Sequence, residues 1–465
     1  MSLAPTPSSY TRNTSSNDLT IASELLKARQ YDTAQELILT YLDFHPHDEA
    51  AIYLLALLFE EQRRPGAAAN ILAGLAETSE RWEVHHRYGM VLDDLHLGEH
   101  AQAHYAKALE LKPGSKDVLL SMATSGAMAL DTDYCLHWAE QALLHGVEAE
   151  RVRVQMAYAQ LSLGNHEEGW PNYMHGIGRQ KWRPDRRYGD DEQRWDGTPG
   201  ARVMLHGEQG IGDQIAFLSC LAQAQAEAHI VGLDVDAKIA PLVQRSFPSV
   251  PVTGDLADSV ISKQPEPFDC SQAISALPAF YRKSQQDFPG APYLVADPLR
   301  RAAYRGLLDS LPQGKNIGLA WSGGNRYTQR HARTAPLEAM LPMLNRPGIN
   351  WVSLEYKRDE DALDWLADKG VNVHDVPYAT RTNDYDDTAA LISELDAVVA
   401  VPTTAVHCAG ALGIPTYCMV VPRPPIHYGG TSQRMCWYGS VELFRRRDYS
   451  VDEWRRVVKE VNERI

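Results

Sequence analysis

The sequence predicts an α + α/β chain, a helical-repeat solenoid followed by two Rossmann-like lobes. Three observations carry this. Small residues recur every 33–34 positions through the first third. From Arg202 onward, short apolar strands alternate with amphipathic helices, the pattern of parallel sheets with crossover helices. The 465 residues are 44% hydrophobic and 23% charged, enough for several packed domains and too ordinary for a fibrous or wholly disordered class.

The repeats come first. Ala22, Ala56, Gly89, Ala123 and Ala157 are separated by 34, 33, 34 and 34 residues, the tetratricopeptide (TPR) period. Ala34, Ala68, Ala101 and Cys135 follow the first four at a constant 12, where a small side chain lets the second helix of a unit approach the first. The clearest copy carries Gly89, Ala101, Tyr105, Ala108 and Pro113, while the last has Gly169 where Ala is usual. About five units are expected over 17–178, after a Ser/Thr/Pro/Asn-rich tail, 1–16, that reads as disordered. Stacked units leave a groove for a peptide or partner protein, and a spacer or homo-oligomerisation role fits the same pattern.

Residues 179–200 read as a connector packed by Trp182 and Trp195, with Trp170 just upstream. The first lobe is expected over 201–312 and the second over 313–465, with the break at the Pro- and Gly-bearing segments 286–298 and 309–316. Strands are expected at Val203–Leu205, Ile230–Val235, Ile317–Trp321, Trp351–Leu354, Ala397–Val401 and Thr416–Val421. Helices are expected at Ile215–Ala226, Ala335–Leu344, Asp359–Lys369, Thr388–Leu395 and Val406–Leu412. A closing helix, Ser450–Ile465, has a Ser450/Glu453 capping box and one face of Val451, Trp454, Val457 and Val458. It is expected to cross or cover the region between the lobes.

Lys plus Arg is 45 against 60 Asp plus Glu, a net charge of −15, which argues against coating nucleic acid or a membrane surface. No C-x-x-C pair occurs among the six cysteines, Cys135, Cys220, Cys270, Cys408, Cys418 and Cys436, which read as reduced thiols of a cytoplasmic protein. The start lacks a signal-peptide pattern, and no apolar run approaches the roughly 20 residues of a membrane span, since Tyr53–Phe59 stops at Glu60.

Three strand-to-helix loops are candidate sites. In Gly207–Gln214, Gly210 and Gly212 let backbone approach a ligand, and Gln214 joins them as a donor-binding candidate. Asp213 reads either as a helix cap or as a general base facing the cleft. In Val401–His407, Thr403 and Thr404 put hydroxyls and N–H groups at a helix start, a seat for phosphate or diphosphate, with His407 within a turn of it. After Trp321, Ser322, Gly323 and Asn325 lead into Arg326, Arg330, His331 and Arg333, a basic loop in an acidic chain that suggests a pyrophosphate clamp. Glu355, just past the next strand, is added to this donor-binding set. Arg445–Arg447 reads as a solvated or interlobe face, and Asp234-Val235-Asp236 as part of a strand and not a metal site.

These residues resemble the bacterial TPR-containing glycosyltransferases whose catalytic half belongs to the GT-B, heptosyltransferase-like superfamily. The chain is more distantly similar to protein O-GlcNAc transferases. The resemblance runs through Trp195-Asp196-Gly197, Glu208–Phe217, Ala291–Leu294, Gly318–Gly324, Asp387–Ile392, His407–Pro415, Trp437-Tyr438 and Leu443–Arg445. It implies a nucleotide-sugar donor as substrate, with no cofactor and no metal, and an inverting transfer with Asp213 as base and Thr403, Thr404 and His407 in the diphosphate loop. That loop begins with Pro402 where the family has Asp, and Pro422–His427 replaces an aromatic run. Three function classes follow: transfer to a protein acceptor bound by the repeats, transfer to a lipid-linked or polysaccharide acceptor, or a non-catalytic TPR interaction protein with a degenerate transferase half.

Overall fold

The computed structural model describes residues 16–178, 183, 193–254, 267–324, 330–357, 359–430 and 432–465. The expected tail up to residue 15, Trp182 with most of its connector, and Asn325 and Arg326 lie outside the described residues. The fold class is the expected one, helical repeats and then two parallel α/β sheets. The chain divides into two compact units, Met1–Gln155 and Met156–Ile465.

In the first unit, helices alternate as pairs: Ser16–Lys27 with Tyr31–Phe44, Glu49–Glu61 with Pro65–Ala76, Trp82–Asp94 with Gly98–Leu111, and Lys116–Ala129 with Thr132–Leu144. The periodic small residues Ala22, Ala34, Ala56, Ala68, Ala101, Ala123 and Cys135 are all fully buried, because they sit where helices cross. At Gly89 a Cβ would stand 2.5 Å from the Tyr105 ring, so only glycine allows that crossing. The tight turn within each pair forces one residue into left-handed backbone. These are Arg29, Arg63, His96 and Leu130, spaced like the repeat itself.

The repeats were expected to run to 178, but residues from Met156 belong to the second unit. The helix His166–Met174 explains why: Trp170 packs edge-on against Phe217 and Trp437, 6.2 and 5.8 Å between ring centroids, inside that unit's core.

The second unit holds two all-parallel sheets. The first comprises β1 (Gln193–Arg194), β2 (Arg202–His206), β3 (His229–Asp234), β4 (Val252–Thr253) and β5 (Cys270–Ala273) in the order β1-β5-β2-β3-β4. The second comprises β6 (Lys315–Ala320), β7 (Ile349–Ser353), β8 (Val373–His374), β9 (Ala397–Ala400), β10 (Thr416–Val420) and β11 (Val441–Arg445) in the order β11-β10-β9-β6-β7-β8. Strand order reverses between β2 and β5 and between β6 and β9. At such points the loops leaving the carboxyl ends turn apart and leave a crevice. All six expected strands are present. The expected Ile215–Ala226 helix is instead two helices, Ile211–Leu218 and Leu221–Glu227, and the Ser219 carbonyl at the break accepts from the buried Arg282 at 2.9 Å.

The closing helix, Val451–Asn462, does not bridge the lobes. Trp454, Val457, Val458 and Val461 bury themselves with Ile317, Leu319, Met343, Trp351 and Met419 on one face of the second sheet, whose apolar surface matches the helix stripe. Val451 stays exposed. Only half of its capping box forms. Ser450 accepts from the Glu453 N–H, but the Glu453 carboxylate takes the Arg447 N–H and the Arg456 guanidinium instead.

Candidate functional site

The loop after β2 is built on a buried anchor. Glu208 is paired with Arg183 at 3.3 Å and accepts from Ser275 and Gln209, while Tyr173 donates to Gln209 at 3.0 Å. Gln214 braces the same loop from the helix side. Its amide donates to the Gln209 carbonyl at 2.7 Å and accepts the Asp236 N–H at 2.9 Å, and the side chain is 1% exposed, so it is a strut and not a ligand contact. One residue earlier, helical phase turns Asp213 toward open space, with 36% of its side chain exposed.

Asp213 has a partner at its own helix start and another across the recess. Its carboxylate accepts the backbone N–H of Gly210 at the helix start, and it also accepts from His427 Nε2 at 2.9 Å. Burial would raise its pKa, but the His427 hydrogen bond, the neighbouring imidazoles and the Gly210 N–H outweigh this and hold the carboxyl below its ordinary range. It is therefore ionised at neutral pH and able to take a proton.

Facing it is the start of the Thr404–Leu412 helix. Thr403 is the N-cap but makes no capping bond, and its hydroxyl oxygen is buried without a partner. The first N–H groups of that helix are thus available to a ligand. Gly212 has no Cβ because one would stand 3.1 Å from the His407 ring, so the glycine lets the two helix starts close on each other. His407, expected to hydrogen-bond an anion, has both ring nitrogens engaged within the protein. Its Nδ1 meets the Tyr438 hydroxyl and its Nε2 the Tyr428 hydroxyl, each at 3.2 Å, and burial pushes its pKa down to about 3. A neutral imidazole with both nitrogens engaged holds two tyrosines and has nothing left to offer a phosphate.

The loop after β6 abuts this helix start, since a Cβ on Gly323 would stand 2.6 Å from the Pro402 carbonyl. Ser322 is fixed by Glu355, which accepts its N–H at 2.7 Å, and by Arg330, which donates to its hydroxyl at 3.3 Å. Burial holds Glu355 above the usual carboxylate range against these hydrogen bonds. The Trp321 side chain, expected among the donor contacts, packs instead into the core behind the sheet. Arg333 is different from all of these. It lines the cleft, and its guanidinium makes no hydrogen bond to a described residue, while burial lowers its pKa.

These loops enclose a recess of about 250 Å³ lined by Gly210, Gly212, Asp213, Arg333, Thr403, Thr404 and His427. It continues past the threonines into one of about 440 Å³ lined by Ser322, Glu355, Tyr356, Arg381 and Tyr385. A larger depression of about 640 Å³ beside β11 carries charges that already satisfy one another, Arg456 with Glu460 at 2.6 Å and Arg464 with Glu442 at 3.6 Å. Asp234 ends β3 and accepts from Thr253 at 3.0 Å, and among the described residues no three His, Cys, Asp or Glu side chains gather as a metal site.

Sequence reasoning did not find His427, Tyr428 or Tyr438 as parts of the site. In the Arg445–Arg447 run, read as a solvated or interlobe face, Arg446 is 3% exposed, with its guanidinium 4.0 Å over Trp454. The described residues contain no helix long and apolar enough to cross a membrane.

No family model matches the chain. It is similar to Protein FlbA of Caulobacter vibrioides, 26% identical over 432 residues, or 88% of this chain and 71% of that protein. Among solved structures, E. coli ADP-heptose LPS heptosyltransferase II is 15% identical with a TM-score of 0.40, over 56% of this chain and 98% of that one. A thermophilic TPR protein of Thermus thermophilus is 21% identical with a TM-score of 0.29, over 34% of this chain and 87% of that one.

Proposed function

We propose that the Met156–Ile465 unit moves a sugar from a nucleotide-sugar donor to an acceptor hydroxyl with inversion at the sugar carbon, and that the repeats hold a protein or peptide acceptor. One observation carries this reading. A single recess sets an ionised carboxylate, Asp213, against an uncapped helix start and a guanidinium, Arg333, that makes no hydrogen bond to a described residue. That is a base on one side of a reacting carbon and an anion seat on the other.

In this reading the acceptor oxygen attacks the sugar carbon as its proton passes to Asp213. The bond from that carbon to the diphosphate oxygen breaks, and its electron pair leaves with the diphosphate. The growing negative charge is met by the N–H groups of Thr404 and Ala405 and by Arg333, so no metal is assigned a part. The six cysteines, none in a disulfide and with Cys220 pushed up to about 11 and Cys135 to about 12 by burial, suit a reducing, cytoplasmic compartment.

The test is thermal unfolding of the full chain with UDP, ADP, GDP and CDP in turn. A nucleotide at a hundredfold excess over its Kd should add about 2.7 kcal/mol of stability. If none of the four raises the melting temperature, the reading is wrong.

A further inference from the structure

The segment Pro422–His427, which departs from the family pattern, ends in a single turn, Ile426–Tyr428. Arg445 fastens that turn by donating to the carbonyls of Tyr428 at 2.7 Å and Gly429 at 3.2 Å. The His427 imidazole is thereby held 3% exposed in a box of rings, with Phe217, Trp437 and His407 at centroid distances of 5.2, 5.3 and 5.2 Å.

Within this box Nε2 meets Asp213 Oδ1 at 2.9 Å, and Nδ1 is buried with no partner. A carboxylate can only accept, so Nε2 is the donor in that hydrogen bond.

We propose that His427 is a positioning residue for Asp213, holding one carboxylate oxygen so that the other is aimed at the acceptor hydroxyl. The groups facing Asp213 are His427, His407, Arg333, Tyr428, Tyr173 and the Gly210 N–H. Of these, Arg333 is a cation in the same recess that makes no hydrogen bond to a described residue. A carboxylate released from His427 would no longer be held on one oxygen, which misaims the base. During transfer the acceptor proton goes to the free oxygen of Asp213, the acceptor oxygen bonds the sugar carbon, and the pair from the broken bond leaves with the diphosphate. His427 keeps its own proton throughout.

This inference rests on the reading of Asp213 as base, so its test has one arm that depends on that reading and one that does not. The variants are His427→Phe, which keeps a ring in the box but removes the donor, and His427→Gln, whose amide reaches about as far as Nε2. Where the Phe variant does not fold, His427→Asn, polar but too short to reach, takes its place.

In the first arm, hydrolysis of UDP-, GDP-, ADP- and CMP-sugars is followed with water as acceptor. His427→Phe should lower kcat on the order of 10²-fold, the usual penalty for a misplaced reacting group, with nucleoside diphosphate affinity unchanged. The acid limb of its pH profile should move to higher pH, because a hydrogen bond favouring the ionised carboxylate is gone. His427→Gln should recover part of both effects, which a merely space-filling role would not do.

The second arm is a ¹³C NMR titration of the Asp213 carboxyl in wild type and variant, where the Phe variant should titrate at higher pH. If wild type hydrolyses none of the donors, the transferase reading fails while this titration still decides the role of His427. A Phe variant with unchanged kcat, pH profile and carboxyl titration would overturn the proposal.

Discussion

His407 and His427 stand ring to ring, 5.2 Å apart and nearly perpendicular, and they do opposite work. His407 gives both nitrogens to tyrosines and is locked neutral. His427, just as buried, gives one nitrogen to a carboxylate that opens on the cleft and leaves the other unpaired. Yet His407 sits in the loop expected to bind a diphosphate, and His427 in a proline-rich stretch to which no role was attached. Which partner the fold lines up with a ring nitrogen, and not the motif around the histidine, decides what the side chain does.

The sharpest way to break this contrast is His407→Phe. Removing the imidazole leaves the Tyr428 and Tyr438 hydroxyls each short of a partner, an expected loss of about 3 kcal/mol in urea unfolding. The pH dependence should change as well. Between the ordinary His value of 6.5 and the folded value of about 3, the unfolded chain binds a proton that the folded chain refuses. Wild type therefore has this stability in full above 6.5 and loses it on acidification, by up to about 1.4 kcal/mol per pH unit, and in the variant that slope disappears. A variant with unchanged stability and weakened nucleotide binding would make His407 a ligand after all.

Arg333→Ala sharpens the contrast from the ligand side. Its guanidinium makes no hydrogen bond to a described residue, so unfolding should be nearly unaffected. Calorimetric affinity for the bound nucleoside diphosphate should fall by about 2 kcal/mol, the worth of a charge-assisted contact.

The smallest effect is expected at Glu355, a buried carboxylate that braces a loop. Its folded pKa is raised, so its stabilising contribution is complete below the ordinary Glu value and is lost as pH rises through the raised one. Glu355→Gln should remove that loss, seen in pH-dependent melts as a flatter profile just above the ordinary Glu value.

The repeats were legible because helix crossings demand small side chains at fixed spacing, and Ala22 through Ala157 supply them. Their turns carry the same period at Arg29, Arg63, His96 and Leu130, but in residues so unlike each other that only the backbone angle reveals it. The strand-to-helix loops were legible from their glycines, two of which permit backbone or ring contacts that a Cβ would block.

What escaped was tertiary. β5 is half polar, and the Pro298–Asp309 helix fell in the expected break between lobes, because its Arg300, Arg301 and Arg305 find acids far along the chain, at Asp384, Asp387 and Glu394. Asp213 and His427 are 214 residues apart, so no local pattern could join them. Asp213 and Gln214, by contrast, are adjacent, and only helical phase sends one to the cleft and the other into the loop.

The most direct test of a base beside an anion seat is Asp213→Asn, with nucleoside diphosphate affinity and donor turnover measured on the same preparation. Asn caps a helix start about as well as Asp, so folding should survive. The expected result is near-wild-type nucleotide affinity with turnover lowered roughly 10²–10⁴-fold. Equal turnover in the two proteins would show that the carboxylate only caps its helix, and would contradict the assignment of Asp213 as the base.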